Sequence, residues 1–202
     1  NSSGTLNVSA AGTITGTAGQ IIAAFADSTI TEASDVALTV DTANSGTATL
    51  TQARSLDGLT TGVVTATIAD TALSDLLDDS TPLLDANGNN AFTITIGSGD
   101  ASASAADLNT LNGLTTVDID AGNVTTITSS GLDAINTLYT SGGFSGLGDQ
   151  DITASDSGSI AASTITTIAA ANSSGTLDVS DAATITGTCL LYTSDAADEH
   201  GC

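Results

Sequence analysis

The 202-residue chain contains one basic residue, Arg54, against 23 acidic residues, and its formal net charge is −22. Nucleic-acid binding and attraction to anionic membrane surfaces need clustered cationic side chains, so this composition excludes both. Hydrophobic residues make up 40% of the chain and aromatic residues only 2%, which favours thin layers of small and β-branched side chains over a thick core.

A long internal repeat organises the chain. The segment NSSGTLNVS at 1–9 recurs as NSSGTLDVS at 172–180, and TITGT at 13–17 recurs at 184–188. Both matches have the same offset of 171 residues (172 − 1 and 184 − 13). Such a fixed period is the signature of a repeat protein.

A shorter match divides this period into three. The segment LDGLTT at 56–61 recurs as LNGLTT at 111–116. We therefore predict one repeat array over 1–188. Its units are 1–59, 60–114, 115–171 and a partial fourth unit, 172–188.

Short helices are predicted where a Ser or Thr precedes a Gln or Asp by three residues and apolar residues follow at helical spacing. In chain order these starts are Thr17, Thr49, Ser104 and Ser130, with further starts near Asp70 and Ser163.

Between the helices, apolar and polar residues alternate, as in half-buried strands. The predicted strands are 5–8, 13–15, 37–40, 63–68, 92–96, 117–119, 126–128, 152–154 and 177–179.

These elements together predict a β-rich repeat solenoid. Each coil would contain a strand, a turn, a second strand and a short helix within about 26–30 residues, two coils to a 57-residue double repeat. Stacked coils would form parallel sheets along an elongated rod. No apolar run approaches the ~20 residues that a membrane-spanning helix needs, so no membrane insertion is expected.

Calcium is the one cofactor that the residues suggest. Asp118, Asp120 and Asn123 alternate oxygen ligands within a turn, and Asp85, Asn87 and Asn89 form a similar pattern. Oxygen ligands of this kind suit Ca²⁺. Both segments depart from the EF-hand loop, which has Gly at its sixth position and Glu at its twelfth. The alternative is that these residues only form solvated turns.

No enzymatic activity is predicted. Ser has no His or Lys nearby in sequence to activate it, and no cluster of Cys and His suggests zinc. A different possibility comes from Thr-x-Thr, which occurs six times and resembles the threonine ladders of ice-binding β-solenoids. The alternative is that Thr is simply a good outward-facing strand residue.

Residues 189–202 (CLLYTSDAADEHGC) differ sharply from the rest. They contain both Cys, and the single His of the chain is His200. The segment CLLYTSDAADE resembles a translated sequencing adaptor, so we predict a non-native tail on a fragment of environmental sequence. The alternative is a native cap closed by a Cys189–Cys202 disulfide.

The phrases TITGTAGQI, ASAADLNTLNGLTTV and SGGFSGLGDQDITASDSGSI resemble tandem repeats of giant acidic cell-surface proteins of marine picocyanobacteria and related marine bacteria. The resemblance implies a secreted protein associated with the envelope, adhesion or motility. Its expected partners are neighbouring repeats of the same chain and cell-surface or matrix components. The function we expect is a structural spacer, with a Ca²⁺-dependent adhesin repeat and an ice-binding protein as alternatives.

Overall fold

The computed structural model describes residues 4–41, 46–69, 72–78 and 88–187. Within these ranges the α-helices are α1 (Ala18–Ala26), α2 (Leu50–Asp57), α3 (Leu73–Leu76), α4 (Ala105–Asn112), α5 (Leu132–Thr140) and α6 (Ala162–Ala171). The first strands are β1 (Leu6–Asn7), β2 (Thr13–Gly16), β3 (Ile30–Thr31), β4 (Ala37–Val40), β5 (Thr47–Ala48), β6 (Val64–Ile68) and β7 (Ala91–Thr93). The remaining strands are β8 (Ser102–Ser104), β9 (Ile119–Asp120), β10 (Thr126–Ser130), β11 (Phe144–Ser145), β12 (Asp151–Ala154), β13 (Ser159–Ala161), β14 (Leu177–Asp178) and β15 (Thr184–Thr186).

Capping boxes begin the first two helices, as the sequence predicts. The Thr17 hydroxyl accepts a hydrogen bond from the Gln20 amide (3.3 Å), and the Gln20 side chain accepts one from the Thr17 amide (3.0 Å). Thr49 and Gln52 repeat this arrangement at α2. Each box satisfies two amides that the first helical turn leaves without a partner.

Later helices are capped from a distance. The first amide of α5, on Leu132, donates to the Asp156 carboxylate 24 residues later (2.7 Å). The first amide of α4, on Ala105, donates to the Ser130 hydroxyl 25 residues later (3.0 Å). The prediction that Ser130 caps α5 is therefore wrong, because Gly131 occupies that N-cap and the Ser130 hydroxyl is bonded to α4.

Every strand pair in the described ranges is parallel. In most pairs the partner lies about 25 residues along the chain. Ile127, for example, pairs with Ala103 on one side and with Ile152 on the other. All three side chains are buried, so this register continues the core from one strand to the next.

The core consists almost entirely of aliphatic side chains. In β6, Val64, Ala66 and Ile68 are buried while Thr65 is exposed, so the predicted alternation is confirmed there. Phe92 is the largest fully buried side chain of the described residues. Helices pack alongside the strands, with contacts between α1 and α2 and along α4, α5 and α6.

The predicted β-rich solenoid is wrong. The structure is a mixed α/β protein in which helices contain about as many residues as strands. Its strands form five separate small parallel sheets of two to five strands, none of them closed, and no continuous stack of coils is present in the described ranges. The cause lies in the sequence: Gly, Asp, Ser and Asn interrupt the apolar alternation after two to five residues, and capping residues then commit the chain to helix.

Several predictions concern residues outside the described ranges. These are the ligands Asp85 and Asn87 and the tail at 189–202 with its two Cys.

Candidate functional site around Asp120 and the buried side-chain bridges

Asp118 and Asp120 lie on the same exposed face beside strand β9. Ile119 between them is fully buried, so the two carboxylates flank a side chain that anchors the strand in the core. This follows from the two-residue period of a strand. The structure therefore brings together the two acidic residues of the first predicted calcium segment.

The neighbouring strands place hydroxyl groups beside Asp120. It pairs with Ser145 of β11 on one side and forms a parallel bridge with Thr95 on the other. Both neighbours are exposed. The result is a surface row of three oxygen-bearing side chains, Thr95, Asp120 and Ser145, which we call the Asp120 row.

Two of the predicted ligands already make local hydrogen bonds. One carboxylate oxygen of Asp120 accepts from the Gly122 amide (3.0 Å) and holds the turn that follows β9. The Asn123 side-chain amide donates to the Ile96 carbonyl oxygen, 27 residues earlier (2.8 Å). Asn123 thus joins two chain segments, and its side-chain nitrogen faces the backbone.

In the second predicted segment, the described residue Asn89 is half-buried. Throughout the described ranges, no group of three or more His, Cys, Asp or Glu side chains is placed to hold a metal ion. The calcium hypothesis therefore depends on Asp118 and Asp120 with hydroxyl neighbours, and it stays a prediction.

Gln150 forms a buried hub that the sequence analysis missed. Its side-chain nitrogen donates to the carbonyl oxygens of Val124 (3.0 Å) and Gly146 (3.2 Å), and its side-chain oxygen accepts from the Gly148 amide (2.7 Å). Gln150 is fully buried. Satisfied polar groups in a low-dielectric interior fix the geometry of the segments that they join.

Asn172 extends this hub to the next repeat. Its side-chain oxygen accepts from the Gln150 backbone amide (2.9 Å), and its side-chain nitrogen donates to the Gln150 carbonyl oxygen (2.7 Å). An amide side chain thereby takes the place of a strand residue in pairing with the backbone. Asn172 is the first residue of the repeated NSSGTL segment, which gives that position a structural role.

Tyr139 completes the hub from helix α5. Its hydroxyl lies 3.0 Å from Gln150 Oε1 and 3.3 Å from Asn172 Oδ1. Burial, together with the nearby negative charge of Asp149, raises the pKa of Tyr139 to about 12. The neutral hydroxyl is thus the form that the fold favours.

The two LxGLTT segments make equivalent buried bonds. The Thr60 hydroxyl donates to the Val36 carbonyl oxygen (2.6 Å), and the Thr115 hydroxyl donates to the Phe92 carbonyl oxygen (2.8 Å). Asn90 adds a further bridge, since it donates to the Asp57 carboxylate (2.6 Å) and accepts from the Val64 amide (2.9 Å).

Asn90 and Gln150 share one sequence signal, a lone amide residue immediately before a strand. That signal is too common to have identified them. Both stand in stretches that sequence reasoning assigned to loops.

The threonine pattern forms rows of limited length. Thr15, Thr39 and Thr65 lie in register on adjacent strands, but Thr65 then pairs with Ala91. Thr126 lies between Ser102 and Asp151. Ala, Ser and Asp therefore interrupt the ladder that an ice-binding face would need.

Comparison of the chain with protein-family models, with curated proteins and with solved structures found no match. Among the described helices, none has the length and hydropathy required to cross a membrane.

Proposed function

We propose that this chain is a structural repeat module of a large extracellular or cell-surface protein. It serves there as a spacer in a protein associated with the envelope, adhesion or motility. The observation that carries this proposal is the set of buried side-chain bridges between segments about 25 residues apart. These bridges, centred on Gln150, Asn172 and Asn90, make each segment depend on the next.

Composition supports the extracellular location. The net charge of −22 keeps such a chain soluble and hydrated. The resemblance to repeats of giant cell-surface proteins points the same way. The partners that fit are neighbouring repeats of the same chain and cell-surface or matrix components, and we propose neither a catalytic role nor a nucleic-acid partner.

A spacer must resist extension, and single-molecule stretching tests this. The full chain would be held by handles at its two termini and pulled. Because buried bridges connect successive segments, we expect abrupt unfolding events, and fewer or weaker ones in the Gln150→Leu variant. Smooth extension without a force barrier would overturn the spacer proposal.

A Ca²⁺-dependent adhesin repeat is the second candidate. The Asp120 row favours it, because Asp118 and Asp120 share an exposed face with the hydroxyls of Thr95 and Ser145. Such a site would be weak, since it offers few charged ligands and one Asp120 oxygen already holds a turn. Loose condensation of divalent cations on the acidic surface competes with it.

A further inference from the structure

The two ends of the described chain expose matching apolar strand residues. Three large hydrophobic side chains of the described residues are exposed, and two of them are Leu6 in β1 and Ile185 in β15, each 55% exposed. Both belong to the repeated segment, in which Leu6 corresponds to Leu177 and Ile14 to Ile185 (offset 171).

The repeated segment shows a different covered edge at each end. In the first repeat, Leu6 pairs with Ile30 and Ile14 with Leu38, which are later strands. In the last repeat, Leu177 pairs with Ile152 and Ile185 with Ile160, which are earlier strands. The same sequence can therefore accept a parallel neighbour on either edge.

Backbone hydrogen bonding agrees with this reading. The Leu6 amide donates to the Thr29 carbonyl oxygen of its neighbour (2.7 Å). In the last repeat, the Thr176 carbonyl oxygen accepts from Ile152 (2.9 Å), so the Leu177 amide faces the outer edge. By the same correspondence, the Thr5 carbonyl oxygen faces the outer edge of β1.

We infer that the outer edge of β14 and β15 binds the outer edge of β1 and β2 in a second copy of this chain. The strands pair in parallel, with the Leu177 amide donating to the Thr5 carbonyl oxygen. Leu177 then lies beside Leu6, and Ile185 beside Ile14. The apolar row at this junction would read Ile152, Leu177, Leu6 and Ile30.

Charge supports the junction. The nine-residue match differs at one position, where Asn7 stands in the first repeat and Asp178 in the last. Pairing of the two ends therefore places an amide beside a carboxylate, and a destabilising pair of like charges is avoided. The contact is head-to-tail and does not close on itself, so it generates open chains of copies.

The test is sedimentation velocity of the full chain over a wide concentration range, in ~0.5 M salt to screen the net negative charge and with reductant present. We expect the average mass to rise with concentration. Leu6→Lys and Ile185→Lys should each remain monomeric, because a lysine at an edge opposes strand pairing. Val63→Lys is the matched control, since Val63 is exposed away from both edges and the charge change is the same.

Mixing the two variants gives the decisive result. The Leu6→Lys chain retains an intact last repeat, and the Ile185→Lys chain retains an intact first repeat. An equimolar mixture should form dimers that grow no further. Circular dichroism confirms that each variant is folded. A wild type that stays monomeric, edge variants that associate as it does, or a mixture that stays monomeric would each overturn the inference.

Discussion

Single polar side chains define how neighbouring segments of this protein fit together. Gln150 is fully buried and hydrogen-bonds to backbone groups of Val124, Gly146 and Gly148. Removing such a residue leaves those groups without partners in a place that water does not reach, which costs far more than one hydrogen bond contributes. The specificity of the fold is therefore concentrated in a few buried amides set among interchangeable aliphatic residues.

Replacing the hub residue tests this directly. Gln150→Leu keeps the volume but removes all side-chain hydrogen bonds, and we expect a loss of about 3 kcal/mol in unfolding free energy. Urea denaturation measures it. Gln20→Leu is the matched control, because Gln20 is exposed and makes one capping bond, so its loss should be about 1 kcal/mol. Equal losses in the two variants would contradict a special role for Gln150.

Tyr139 predicts a stability change at alkaline pH. Its pKa is about 12 in the fold against 10.0 for the free side chain, so its stabilising contribution is complete below pH 10 and is lost as the pH rises from 10 to 12. Two pH units correspond to ~2.7 kcal/mol, and solvent screening of the half-exposed ring reduces this to about 1 kcal/mol. Tyr139→Phe should be less stable than wild type at pH 8 and should approach it near pH 12.

The measurement is urea denaturation at both pH values. Tyr192, the second tyrosine of the chain, is changed to Phe in both proteins so that absorbance reports Tyr139 alone. A stability difference that stays constant from pH 8 to 12 would show that the Tyr139 hydroxyl titrates normally.

At the scale of elements, helix starts show how far sequence reasoning reaches. The capping boxes of α1 and α2 lie within four residues of sequence, and local chemistry was enough to predict them. The caps of α4 and α5 come partly from Ser130 and Asp156, about 25 residues away, and a local rule cannot find them. The strand β4 was predicted to the residue because its alternation is uninterrupted.

The distant cap of α5 is open to mutation. Asp156→Ala removes the acceptor of the Leu132 amide, and Gly131 at the N-cap has no side chain to replace it. We expect a loss of about 1 kcal/mol in unfolding free energy. Asp181→Ala, which removes an exposed charge outside the helices, should change stability little. If both variants lose the same amount, net charge explains the effect and capping does not.

At the scale of the molecule, the sequence predicted parallel pairing and the repeat period better than it predicted architecture. Thr126 and Asp151 pair 25 residues apart, close to the expected coil length. The sheets nevertheless break into five, because pairing of two to five residues gives each strand little cooperative extension. The buried Asn90 and Gln150 were missed because their partners are carbonyl and amide groups, which any residue supplies.

The central claim is that buried side-chain bridges hold a metal-independent structural module together. Thermal unfolding followed by circular dichroism tests it most directly, on the full chain in chelator, in Mg²⁺ and in Ca²⁺ at matched ionic strength. Screening of the −22 charge should raise the melting temperature in the two divalent salts equally. A further rise that is specific to Ca²⁺, and that disappears when Asp118 and Asp120 are both changed to Asn, would contradict the account and favour the adhesin repeat.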